Sequence, residues 1–340
     1  MVRFGVIGCG AISSIFMEAA KQLAGAKVTR AFDANAARAG RFAAQYGALP
    51  CAEVEELLAA PDVDAVYICT PSGTHAGYAV QAAGEGKHIV VEKPMGISAE
   101  QLDSIQAACE KSGVKLCAVS QLYFSDAYQR VKRAAESGRF GKIFLADLSM
   151  KYFRSDEYYR AGGWRGTWAL DGGGALMNQG IHGVGLLLGL MGKPKSVTAL
   201  ARTFVHPIEV EDTAAALVEF RSGALASIVA ATSVRPGRPR VLTLHGTKGT
   251  AALAEDRITE WNVEGETPPA EEKGPVRSSA SDPADLSCEL HRRQLADFIR
   301  AVETGTRPAL SVAEGRMPVD LILAAYRSSR SGKTVYLGES

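Results

Sequence analysis

A chain of 340 residues is long enough for about two domains with separate cores. Hydrophobic residues make up 46% and charged residues 22%, and the formal net charge is +1. That balance is ordinary for a globular protein and excludes a general electrostatic pull toward nucleic acid or a membrane surface. The short basic stretches at Arg235, Arg238 and Arg240 and at Arg292 and Arg293 read as solvated loop and helix faces.

From the N-terminus, "VRFGVIG" is an apolar strand, and no leader with a charged region and cleavage site precedes it. A helix-period stretch over 12–23 follows, then the strand "AKVTRAFD" and an Ala-rich helix over 35–46. Next come "AVYICTP", a helix over 74–85, "HIVVEKP", a helix over 99–112 and "KLCAVS". Near-continuous apolar strands alternating with helices indicate a parallel sheet covered on both faces, in a doubly wound α/β arrangement.

The rhythm changes near residue 122, so the expected domains are 1–121 and 122–340. In the second, a helix over 126–137 leads to "KIFLADLSMKYF", a Gly- and Trp-rich loop and a helix over 173–191. The strands "SVTALARTF", "TAAALVEF", "ALASIVAAT", "RVLTLHG" and "GTAALAE" follow, with "RSG" and "GTKG" as hairpin turns, so this α+β domain carries a mainly antiparallel sheet. Residues 264–285 hold four prolines and read as an exposed loop, before two final helices over 288–303 and 312–331.

The cysteines Cys9, Cys51, Cys69, Cys109, Cys117 and Cys288 are scattered, without C-x-x-C or metal-ligand spacing. They read as free thiols of a cytoplasmic protein, and no metal site is expected. The absence of an 18-residue apolar run gives no membrane span.

"GVIGCGAISS" follows the first strand and opens a helix, the setting a dinucleotide turn requires. Gly8 permits the tight turn, Gly10 lets the backbone approach a pyrophosphate, and Ala11 and Ile12 begin the helix whose N–H groups face it. Ser13 stands where the fingerprint has Gly or Ala. Asp33, some 25 residues after Gly8, is placed to accept from ribose hydroxyls and to repel a 2′-phosphate. NAD is therefore the expected cofactor, with Arg38 close enough to leave room for NADP. Thr70, Pro71 and His75 in "CTPSGTHAGYA", and Glu92 and Lys93 in "VVEKP", lie at the same ligand-binding edge. A lysine there can polarise a substrate hydroxyl.

In "GGWRGTWALDGGGALMNQGIH" the three glycines allow a close approach, and Asn178 and His182, four residues apart, share one helix face. His182 suits the role of proton acceptor near neutral pH. Trp164, Arg165 and Trp168 offer aromatic and guanidinium groups for a hydroxylated ring. Hinge or interface packing explains them equally.

These segments resemble the glucose–fructose oxidoreductase / inositol dehydrogenase (Gfo/Idh/MocA) family over nearly the whole chain. The resemblance implies a Rossmann domain and a second domain with an open, mainly antiparallel sheet. It also implies homodimers or homotetramers built on that sheet and NAD(P)-dependent redox chemistry on sugars or polyols such as cyclitols. The family's catalytic lysine and histidine correspond to Lys93 and His182, while its aspartate position is held by Asn178. Gly185 also replaces an aspartate often found three residues after the histidine. The expected reaction is reversible oxidation of a secondary hydroxyl, with Lys93, Asn178 and His182 at the substrate. A silent dinucleotide-binding regulator and a redox-neutral lyase or glycosidase that uses NAD transiently are the alternatives.

Overall fold

The computed structural model describes residues 1–268, 280 and 288–338. The loop expected over 264–285 thus lies largely outside the described residues. The chain forms two compact units, one from Met1–Gln121 with a later stretch ending at Arg316, the other beginning at Leu122 and resuming at Met317.

The first unit runs β1 (Val2–Ile7), α1 (Ala11–Lys21), β2 (Ala26–Phe32), α2 (Ala36–Tyr46), β3 (Leu49–Pro50), α3 (Val54–Ala59), β4 (Ala65–Ile68), α4 (His75–Gly84), β5 (His88–Val91), α5 (Ala99–Ser112) and β6 (Leu116–Ala118). Among the described residues its sheet has six parallel strands in the order β3-β2-β1-β4-β5-β6. Every residue of β4 is buried, as expected of a strand with helices on both faces. The helices carry local stop and start signals. Asn35 and Ser98 cap α2 and α5 by accepting from the N–H groups of Arg38 and Gln101, and Gly47 and Gly113 end them in the left-handed region. The short β3 and α3 were not legible as elements, because two and six residues show no period.

The second unit holds α6 (Asp126–Glu136), β7 (Ile143–Lys151), α7 (Asp156–Arg160), a π-helical turn Ala175–Gly180, α8 (Ile181–Met191), β8 (Pro194–Arg202), β9 (Thr213–Phe220), β10 (Leu225–Ala231), β11 (Val241–Gly246), β12 (Gly249–Ala254) and β13 (Arg257–Val263). The chain continues with α9 (Glu289–Thr304), α10 (Val312–Ser331) and β14 (Val335–Tyr336). The second sheet has the order β13-β12-β11-β7-β10-β9-β8-β14 among the described residues. Its pairings are antiparallel except β7 with β10. Hairpins join β9 to β10 and β11 to β12 at the two turns read from the sequence.

Three local features depart from the sequence reading. The helix expected over 173–191 is interrupted, with α8 beginning only at Ile181. Arg240 is not solvated: it is 3% exposed, with its guanidinium 3.3 Å from Glu255 and its N–H on the same carboxylate. The third is α9, which folds with the first unit. Its apolar side lies on α1 and β1, with the Phe298 ring 6.2 Å from Phe4. Phe298 is fully buried, worth roughly 1.5–3 kcal/mol. No helix among the described residues is long and apolar enough to cross a membrane.

Candidate active site

In the first unit the site residues gather where β1, β4 and β5 end, at the point where strand order reverses. Gly8 has φ +98°, and a Cβ there would lie 2.9 Å from the Cys69 carbonyl group, so only glycine fits. Its N–H donates to Phe32 O at 2.8 Å. Gly10 is different. A Cβ on it would meet no atom within 4 Å, so packing does not demand a glycine, whereas a pyrophosphate against the first turn of α1 does. Gly10 also offers no side chain to cap that turn, in which Ala11 and Ile12 stand. The residues fit a dinucleotide. Ser13 is fully buried and its hydroxyl donates to Gly10 O at 2.5 Å, which reconciles the hydroxyl with the fingerprint's small third position.

Asp33 is a tie as well as an acid. Its carboxylate accepts from Cys9 N and Asn35 N, both at 2.8 Å, and the Arg38 guanidinium stands 3.5 Å away. Burial, reinforced by Asp33, pushes the Cys9 thiol up to about 12, and burial raises Cys69 as well, so neither is a nucleophile at neutral pH.

The Pro71 loop is braced by a Thr70–Thr74 hydroxyl contact of 2.8 Å and by Thr74 Oγ1 donating to Pro71 O. His75 is 1% exposed, with Nδ1 2.7 Å from Pro94 O and Nε2 2.8 Å from Thr70 O. Burial holds its pKa below the ordinary imidazole value. His75 therefore straps this loop to the segment after β5. Glu92 is likewise inward: its Oε1 accepts from Tyr67 at 2.6 Å, and Tyr67 stacks on Phe16 at 3.9 Å. Lys93, half-buried, follows at the strand end.

In the second unit the site is built around the π-helical turn. The N–H groups of Asn178 and Gln179 both donate to Gly174 O at 3.1 Å, the mark of an inserted residue, and such turns recur at functional sites. Gly174 cannot be replaced, since a Cβ would lie 2.0 Å from Glu211 O. The buried Glu211 accepts from Gly174 N at 3.0 Å, Leu176 N at 2.8 Å and the Tyr326 hydroxyl at 2.8 Å. Asp212 beside it gathers the N–H groups of Phe204, Val205 and His206. The "VED" segment thus holds the turn from behind.

Asn178 is 7% exposed, and its Nδ2 donates to Asp171, itself 1% exposed. His182, half-buried, is the second residue of α8. Arg165 lies 4.5 Å from the Tyr158 ring and 5.1 Å from Trp164, and Trp168 is edge-on to Tyr326. Sequence reasoning missed Asp171, Gln179, Glu211 and Arg154. "VED" and "WALD" carried the acids in plain view, but the partners of Asp171 and Glu211 are set by tertiary packing. Among the described residues no group of three His, Cys, Asp or Glu could hold a metal ion.

A parallel sheet in this strand order, with a glycine turn of this shape, marks a dinucleotide-binding unit. Residues 2–120 match the oxidoreductase family with NAD-binding Rossmann fold, and residues 128–252 match the GFO/IDH/MocA C-terminal domain. The chain belongs to the GFO/IDH/MocA family and is an NAD(P)-dependent oxidoreductase. It is 27% identical to an inositol 2-dehydrogenase of Rhizobium meliloti (strain 1021), across 96% of each chain. It is 26% identical to a 1,5-anhydro-D-fructose reductase of Ensifer adhaerens, across 98% of each. Among solved structures, the WlbA dehydrogenase from Bordetella pertussis, in complex with NADH and UDP-GlcNAcA, is 34% identical, with a TM-score of 0.89 and coverage of 100% of this chain and 99% of that one.

Proposed function

We propose that the protein oxidises a secondary hydroxyl of a sugar derivative, reversibly, with NAD as acceptor. The first unit holds the dinucleotide and the second the substrate. A nucleotide-linked sugar acid is the first candidate, because the WlbA relative was solved with UDP-GlcNAcA, and a cyclitol is the second. The observation that carries the reading is Lys93 just past β5, at the same end of the sheet as the glycine turn, in a chain whose π-helical turn sets Asn178 ahead of His182. The nicotinamide supplies the hydride acceptor. Lys93 donates to the reacting oxygen and stabilises its developing charge, Asn178 orients the hydroxyl, and His182 takes its proton. We also propose that the chain works as a homodimer or homotetramer and, from its six free cysteines, that it resides in the cytoplasm.

The test is NADH formation at 340 nm across UDP-linked sugar acids, free aldoses and inositols. Signal is expected with at least one class, and Lys93→Met or His182→Ala should lower turnover by roughly 10²–10⁴ while NAD affinity stays nearly unchanged. Product without net NADH would instead identify a redox-neutral lyase or glycosidase. No product from any class would favour a silent regulator, and full activity in either variant would displace the chemistry from these residues.

A further inference from the structure

Asp171 and Asn178 are both buried, and the amide nitrogen of Asn178 donates to Asp171 Oδ1. The other oxygen, Oδ2, accepts from Gly166 N at 2.8 Å, so both oxygens act as acceptors, the role of a carboxylate. On its far side Asn178 Oδ1 accepts from Gln179 Nε2 at 2.8 Å. The amide therefore has one orientation, nitrogen toward Asp171 and oxygen toward Gln179. Gln179 is itself held, donating to the Tyr158 hydroxyl at 2.8 Å and accepting from Arg154 Nε at 3.0 Å. The series runs from a buried anion to a buried cation through two amides, and every link lies around the π-helical turn.

We propose that Asp171 is a positioning residue, which with Asn178 forms one unit and supplies the negative charge that an amide at 178 lacks. The idea rests on Asn178 touching the substrate. It explains why an amide stands at 178: a carboxylate there would face Asp171 and force one of the two to keep a proton. The titratable and charged groups about the pair include Arg154, Arg165, Tyr158, Tyr159 and Tyr326, with Glu211 behind the glycine turn and His182 four residues on.

A reciprocal exchange tests this. In Asn178→Asp one carboxyl should have a raised folded-state pKa, so stability should be intact below the ordinary carboxyl range and fall as pH rises through the raised value. Turnover should fall with it, by roughly 10² at pH 8, the size of effect a misplaced reacting group produces. Asp171→Asn alone should lower kcat with NAD affinity unchanged. The double variant Asp171→Asn/Asn178→Asp restores one amide and one carboxylate, and should recover Tm, the parent's pH profile and turnover to within tenfold. If Asn178→Asp does not fold at pH 7.5, its recovery at pH 5 serves as the same readout. A double variant no better than the single ones would overturn the pairing. Recovery of Tm with turnover unmoved in every variant would overturn the positioning role. In that case, loss of turnover in Lys93→Met and His182→Ala would place the failure in this pair, and their indifference would place it in the reading of the site.

Discussion

The carboxylate that follows β2 has one oxygen engaged by Cys9 N of the glycine turn and the other by Asn35 N at the start of α2. A ribose hydroxyl must share those oxygens, and a 2′-phosphate must approach the same charge, which the half-exposed Arg38 offsets in part. NAD should therefore bind more tightly than NADP in titrations followed by intrinsic fluorescence. Asp33→Ser removes the charge while keeping an acceptor for Cys9 N. It should move the ratio of dissociation constants toward NADP by about tenfold or more, since a charge-assisted bond contributes about 1.5–3 kcal/mol. Tighter NADP binding by the parent would refute the assignment of Asp33.

Two glycines separate folding from binding at the level of elements. Gly10 precedes α1 with open space beside its α-carbon, and Gly174 precedes the π-helical turn with the Glu211 carbonyl against it. Gly10→Ala should leave thermal unfolding unchanged and weaken NAD binding, because only the dinucleotide meets the new methyl group. Gly174→Ala should cost about 3 kcal/mol and lower Tm by roughly 6–12 °C, because the obstructing atom is backbone. Equal Tm values for the two variants in differential scanning calorimetry would contradict both assignments. These two positions also mark what was legible beforehand. The strands β1, β2, β4 and β5 and the turn at Gly8 declare themselves through apolar runs and glycine spacing. The π-helical turn does not, because "GGGALMNQGIH" scans equally as α-helix and the extra residue is imposed by Glu211, some 35 residues later. For the same reason Asn178 and His182 were visible as candidates while Asp171, across three glycines, was not.

For the molecule as a whole, the second sheet has one face covered and, over β7, β8, β9 and β10, the other exposed among the described residues. Register places Thr198, Leu217, Ser227 and Asp147 in one row and Leu200, Ala215, Val229 and Ser149 in the next. Leu200, Leu217 and Leu225 are 60%, 67% and 54% exposed, a grouping that single chains rarely leave in water. A second copy of the chain would cover it. Sedimentation should report a dimer or tetramer, and Leu217→Arg with Leu225→Arg should yield monomers that still bind NAD. A monomeric parent would remove this face from consideration.

The return of α9 to the first unit has a consequence for how the protein is made. Phe4 and Phe16 are made before the rest of the first sheet, yet a ring packed against Phe4 belongs to Phe298, far behind in the chain. Roughly 180 residues separate Gln121 from that ring, or about 10–35 s of elongation at common rates. During that interval the strands of the first sheet can pair while the flank of β1 and α1 waits uncovered. The second unit must emerge and begin folding in the meantime. The first domain is therefore complete only once α9, which follows most of the second unit in the chain, has been made and has docked on α1 and β1.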